Sequence, residues 1–98
     1  MKRKILINGK KVLDKSELHD YLIKQFNLPK YYGRNLDALW DVLSTSKNLK
    51  KITVIHASYL DKILGDYSKS LLNLFKELSA INDVELLIFK DGRKNETK

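Results

Sequence analysis

Apolar positions along this chain alternate between short continuous runs and helical stripes. Ile5-Leu6-Ile7 is a continuous run ending at the turn dipeptide Asn8-Gly9, which predicts a first strand over about 4–8. A hairpin through Asn-Gly to Lys11-Val12-Leu13 ranks second, because that stretch is short and soon meets a helix start. Ser16 is read as the cap of that helix, with Glu17 at its positive end. Leu18, Tyr21, Leu22 and Phe26 then fall on one helical face, and Leu28-Pro29 stops the helix. A second helix begins near Asn35, with Leu36, Leu39, Trp40 and Leu43 spaced as one apolar stripe. The β-branched run 52–55 predicts a second strand. Ser58 is read as capping a short helix that holds Leu60, Ile63 and Leu64 and closes at Gly65. A longer helix over about 67–80 follows, with Leu71, Leu72, Phe75 and Leu78 as its core face, and 84–89 is the third strand. None of the strands alternates cleanly between polar and apolar, as expected when both faces are largely covered. Strands separated by helices predict a single α/β domain with a parallel sheet.

Composition narrows the class. The 98 residues fit one domain, and 43% hydrophobic content supports a modest core. Cysteine is absent, so neither a disulfide framework nor a thiolate zinc site is expected. The apolar runs reach about six residues at 84–89, far below the roughly 20 of a membrane helix. The basic opening MKRK has no apolar stretch of signal-peptide type behind it, so a cytoplasmic location is expected. The formal charge is +7, but +5 of it comes from the two ends: Lys2, Arg3 and Lys4, and the segment after 89. We expect one domain over 1–90 and a basic polar tail over 91–98 that serves solubility, with no direct nucleic-acid binding.

Catalytic chemistry is poorly supplied. The four glycines are scattered, with no phosphate loop. His19 is expected at the surface or boundary of the first helix, and His56 is expected to be a hydrogen-bonded structural residue. Neither belongs to a metal-spacing motif. No catalytic residue, metal or cofactor is assigned, and the chain is not expected to be an enzyme.

The distinctive stretch is YYGRNLDALWD at 31–41. Asn35 is a good N-cap, which places Asp37 at the second helical position, where the helix dipole favours a carboxylate. Asp41 lies in the second turn, only about 40° from Asp37 around the helix. Gly33 suits a tight turn before the cap. Two carboxylates bordered by Tyr31, Tyr32 and Trp40 form a surface suited to a cationic cleft, as well as to a merely solvated helix face.

At this stretch the chain resembles the barstar family, intracellular inhibitors of the bacterial ribonuclease barnase. The segment matches the family's Tyr-Tyr-Gly-x-Asn-Leu-Asp-Ala-Leu-Trp-Asp at every fixed position, and the likeness extends to Ile7-Asn8-Gly9, Leu18-His19, Leu28-Pro29, Phe75 and Glu77. The resemblance implies a three-stranded parallel sheet packed by about four helices in the order β-α-α-β-α-α-β. It also implies binding to a secreted or toxin ribonuclease of the barnase class, with the second helix and its preceding loop occluding the active site. Tyr31, Gly33, Asn35, Asp37, Trp40, Asp41 and Glu77 are the implied partner-binding positions, with Asp41 as the central anion. Arg34 departs from the family, which has glutamate there; extending the helix back one turn would set this cation beside the aspartates. The family's second contact tryptophan is replaced by Ser44-Thr45-Ser46. An RNA-binding module, or a module binding a protein other than a nuclease, are the alternatives on the same scaffold.

Overall fold

The structure, a computed structural model, describes residues 3–92. Its elements run β1 (Arg3–Asn8), α1 (Lys15–Phe26), α2 (Leu36–Ser44), β2 (Leu49–Ile55), α3 (Ala57–Leu64), α4 (Asp66–Asn82) and β3 (Glu85–Ile88). A single 3₁₀ turn, Gly9–Lys11, follows β1. The sheet is three-stranded in the order β1-β2-β3, and both pairings are parallel. This is the α/β architecture the sequence predicts.

The register explains the core. Ile5 pairs with Ile52 and Ile7 with Val54, while Ile52 and Val54 pair with Leu86 and Ile88. These aliphatic rows pack with Leu18, Leu22 and Phe26 of α1, Leu39 and Leu43 of α2, and Leu71, Phe75 and Leu78 of α4 in one core. The expectation that both sheet faces are covered holds only for the central strand. On β1, Ile5 and Ile7 are buried while Lys4 and Leu6 are exposed, so this strand does alternate. Thr53 of β2 is buried at 4% exposure on the face where Leu6 lies exposed, because it has a strand on each side.

α1 is fixed to the outer edge of β1 by side chains that stand in for a missing strand. The Gln25 amide donates to the Leu6 carbonyl at 2.7 Å, and the Asn8 amide donates to the Tyr21 hydroxyl at 2.8 Å. An edge strand's free backbone groups are thereby used internally. Arg3 reaches back to the carbonyls of Phe26 and Gln25 at 2.9 and 3.2 Å, a cation at the negative end of the helix.

Two caps differ from expectation. Asp14, not Ser16, caps α1: its carboxylate accepts from the Glu17 amide at 2.8 Å, and Glu17 accepts from the Leu13 amide at 3.2 Å. This reciprocal arrangement satisfies two amides at once, which a Ser16 cap two residues later would forgo. At α3 the cap residue is His56, in the left-handed region at φ 55, and Ser58 lies inside the helix. The amides of His56, Ala57 and Ser58 donate to the carbonyls of Asp91, Phe89 and Lys90 at 2.7, 3.0 and 3.2 Å, and the Ser58 hydroxyl donates to Lys90 at 2.9 Å. Main-chain carbonyls more than 30 residues away do the capping, so the local sequence carried no signal for it. Of the tail expected over 91–98, residues 93–98 lie outside the described residues, and the Asp91 carbonyl is one of these caps.

Asn8-Gly9 opens the 3₁₀ turn rather than a hairpin, with Asn8 accepting from the Lys10 amide. Gly9 is required here by space: a Cβ would collide with the His56 carbonyl oxygen and crowd Leu60. Gly9→Ala should therefore pry the ends of β1 and β2 apart and lower stability by roughly 1–3 kcal/mol, read as a reduced urea midpoint. An unchanged midpoint would show that the two strand ends separate freely.

Candidate functional site

The segment between α1 and α2 is held at four points. Asn27 ends α1 in the left-handed region, and the Leu28 amide still donates to Ile23 at 3.0 Å. The Tyr32 amide donates to the Pro29 carbonyl at 3.0 Å, closing a turn around Lys30 and Tyr31. The two tyrosines then part: Tyr31 is 86% exposed and Tyr32 only 7%. The sequence sets both at the border of the acidic patch; in the fold only Tyr31 is available there.

Tyr32 turns inward to His19, which is 2% exposed rather than at the surface or boundary of the helix. His19 Nδ1 lies 2.7 Å from the Tyr32 hydroxyl, and Nε2 lies 2.7 Å from the Tyr67 hydroxyl of α4. The Tyr32 hydroxyl also donates to the Asn35 carbonyl at 3.3 Å. The protonated-Nδ1 tautomer satisfies every group: Nδ1–H donates to Tyr32, and the Tyr67 hydroxyl donates to Nε2. His19 stands three residues before Leu22 and seven before Phe26, squarely on the buried stripe of α1. That spacing is the signal by which the burial could have been found.

Burial pushes the His19 imidazole below its ordinary value of 6.5; the nearby Arg34 and Lys15 cations add to this, and Asp20 opposes it. Burial also raises Tyr32, to about 12, reinforced by Tyr67 and opposed by Arg34, and burial raises Tyr67 as well. The chain of rings is thus neutral at neutral pH.

Arg34 occupies the left-handed region at φ 57, and Gly33 does not. The tight-turn role expected of Gly33 therefore falls to Arg34, while Gly33 is needed for room: a Cβ there would sit 3.3 Å from the Ala38 methyl. The Arg34 guanidinium faces α1, donating to Asp20 at 2.9 Å and to the Ser16 carbonyl at 3.0 Å. Arg34 precedes the capped start of α2 instead of extending it, and it forms no ion pair with Asp37 or Asp41.

Asn35 caps α2 as expected, accepting from the Ala38 amide at 2.8 Å, while its own amide group donates to the Gly33 carbonyl at 3.3 Å. Leu39 and Leu43 are buried, and Trp40 is half-buried against the same core. Asp37 and Asp41 are both exposed. Glu77 is exposed on α4, which runs parallel to α2: Tyr67 lines a cleft with Leu36 at one end, and Asn82 donates to the Ser44 carbonyl at the other. Among the described residues, no ion pair or hydrogen bond engages the carboxylates of Asp37, Asp41 or Glu77. Six of the implied binding positions thus share one continuous segment, and Glu77 lies on the adjoining helix. Among the described residues no cluster of three or more His, Asp or Glu could hold a metal ion, and no helix is long and apolar enough to cross a membrane.

A three-stranded parallel core carrying an acidic helix on a pinned loop places the chain among small α/β proteins of the barstar type. The family model described as Barstar (barnase inhibitor) matches residues 3–90. The chain belongs to that family. It is also 38% identical over 76 residues to the Bacillus subtilis (strain 168) protein named "Putative ribonuclease inhibitor YrdF", covering 76% of this chain and 84% of the relative.

Because His19 is held below its unfolded value, the unfolded chain takes up that proton first as pH falls. The stability it contributes is present above about 6.5 and is lost below it, toward the lower folded value. Urea midpoints measured from pH 7 to pH 5 should fall for this protein, and His19→Gln should lose that share of the decline. Parallel pH profiles would contradict a neutral buried imidazole.

Proposed function

We propose that this chain is a protein inhibitor of a barnase-type ribonuclease, and that it acts by covering the enzyme's active site with α2 and loop 31–35. Membership of the barstar family and the ribonuclease-inhibitor name of the Bacillus relative support the class. The observation that carries the mode of action is the unpartnered pair Asp37 and Asp41 on a helix whose start is fixed by its cap and by the Tyr32–His19 chain. A nuclease that binds RNA phosphates presents cations in its cleft, and carboxylates fixed in advance can meet them with little ordering cost. Asp41 is the central anion in this reading, Asp37 and Glu77 flank it, and Tyr31 and Trp40 supply contact area. The cell interior is where such an inhibitor would act, protecting its host from a secreted or toxin nuclease.

Titrating barnase with the protein should abolish RNA cleavage near a 1:1 ratio. Asp41→Ala should weaken inhibition the most, and Asp37→Ala less. Truncating one member of a buried charge pair costs roughly 2–5 kcal/mol, a range drawn in part from barnase–barstar itself, so a loss of tens- to thousands-fold is expected for Asp41→Ala. Undiminished cleavage at excess inhibitor, or an Asp41→Ala variant as potent as the parent, would contradict the proposal.

A further inference from the structure

A cleft of about 600 Å³ opens beside Asp37, where the first turns of α1, α2 and α4 meet. Lys15 and Ser16 of α1 form one wall, Arg34 and Asp37 another, and Tyr67 and Ser70 of α4 the third. The Lys15 ammonium stands 4.4 Å from the centre of the Tyr67 ring. Among the described residues it has no ion-pair partner. Arg34 brings a second cation, but its guanidinium is already committed to Asp20 and Ser16. Within the cleft Lys15 is thus the cation without a carboxylate partner among the described residues, while Asp37 lines the same cleft and belongs also to the exposed acidic face of α2.

A protein seated on Asp37 and Asp41 covers the mouth of this cleft. If it presented only cations, it would strand the Lys15 ammonium against like charge in a partly desolvated site, which is costly. We infer that the cleft is a socket for a carboxylate side chain of the ribonuclease, with Lys15 as the group that meets it. This rests on the inhibitor reading above and sharpens it: the partner carries an acidic residue immediately beside the basic groups that receive Asp37. Lys15 is then a specificity determinant, favouring nucleases with that acid and rejecting those that are basic throughout.

The test is barnase binding, measured at one fixed ionic strength, for the parent protein and for Lys15→Glu, Lys15→Gln, Lys62→Glu and Asp41→Ala. Lys62 is exposed on α3, outside the cleft lining, so its reversal reports the general effect of making a basic chain less basic. Against a basic nuclease that general effect strengthens binding. The socket predicts the opposite sign locally: Lys15→Glu weakens binding at least tenfold, Lys15→Gln weakens it less, and Lys62→Glu does not weaken it. Lys15 opens α1, where an acidic residue suits the helix dipole, so the Glu variant is expected to fold, and its melting curve checks this. If Lys15→Glu behaves like Lys62→Glu while Asp41→Ala still weakens binding, the socket is wrong and the inhibitor reading stands. If no variant binds, or Asp41→Ala binds as tightly as the parent, the inhibitor reading fails and the socket with it.

Discussion

One partly buried chain of hydrogen bonds ties together the parts on which the candidate surface depends. It runs from Tyr67 on α4 through His19 on α1 to Tyr32 in the loop and ends on the carbonyl of Asn35, the cap of α2. That carbonyl also accepts the first helical bond of α2, from the Leu39 amide at 3.0 Å. Three helices are thereby positioned by polar groups that leave no buried side-chain atom unsatisfied among the described residues. Such networks are specifying because their alternatives strand a polar group in a low-dielectric site. Arg34 adds an outer clasp through Asp20, but both side chains are well exposed, at 41% and 67%, so this pair contributes little on its own.

The surface charges make sense against that scaffold. Two like charges four residues apart cost a helix roughly 0.2–0.5 kcal/mol. Asp37 recovers part of this from the dipole at the second helical position; Asp41 does not. The cost is small for a helix anchored by Leu39, Leu43 and a half-buried Trp40, so the fold can hold repelling carboxylates in place and leave them unpaired. A fixed, unpaired charge is what a cationic partner can exploit without first breaking an internal bond. The excess positive charge of the chain lies mainly at its two ends and does not fall on this helix.

Helix and strand order were legible because they follow from local periodicity: the stripes of α2 and α4 and the β-branched run of β2 stand in the sequence itself. The Asn35 cap was legible for the same reason, since a cap acts within three residues. What escaped was non-local or depended on competing polar partners. The α3 amides are satisfied by carbonyls of the segment after β3, which no nearby residue announces. His19, expected at the surface or boundary of the first helix, is buried: its spacing with Leu22 and Phe26 puts it on the buried face, where Tyr32 and Tyr67 satisfy both nitrogens. Arg34 rather than Gly33 takes the left-handed conformation, and it gains Asp20 and Ser16 as partners instead of standing beside the aspartates. The exposure of Tyr31, Asp37 and Asp41 was therefore readable in the sequence, but not the means by which their segment is held.

The central claim is that the Tyr32–His19 chain fixes the start of α2. Native-state hydrogen exchange in a Tyr32→Phe variant tests it most directly, because only one hydroxyl is removed and the ring stays in the core. The account predicts that the Ala38 and Leu39 amides exchange at least tenfold faster, while the amides of β2 keep their protection. Unchanged exchange at Ala38 and Leu39, or an equal rise at every amide, would contradict it.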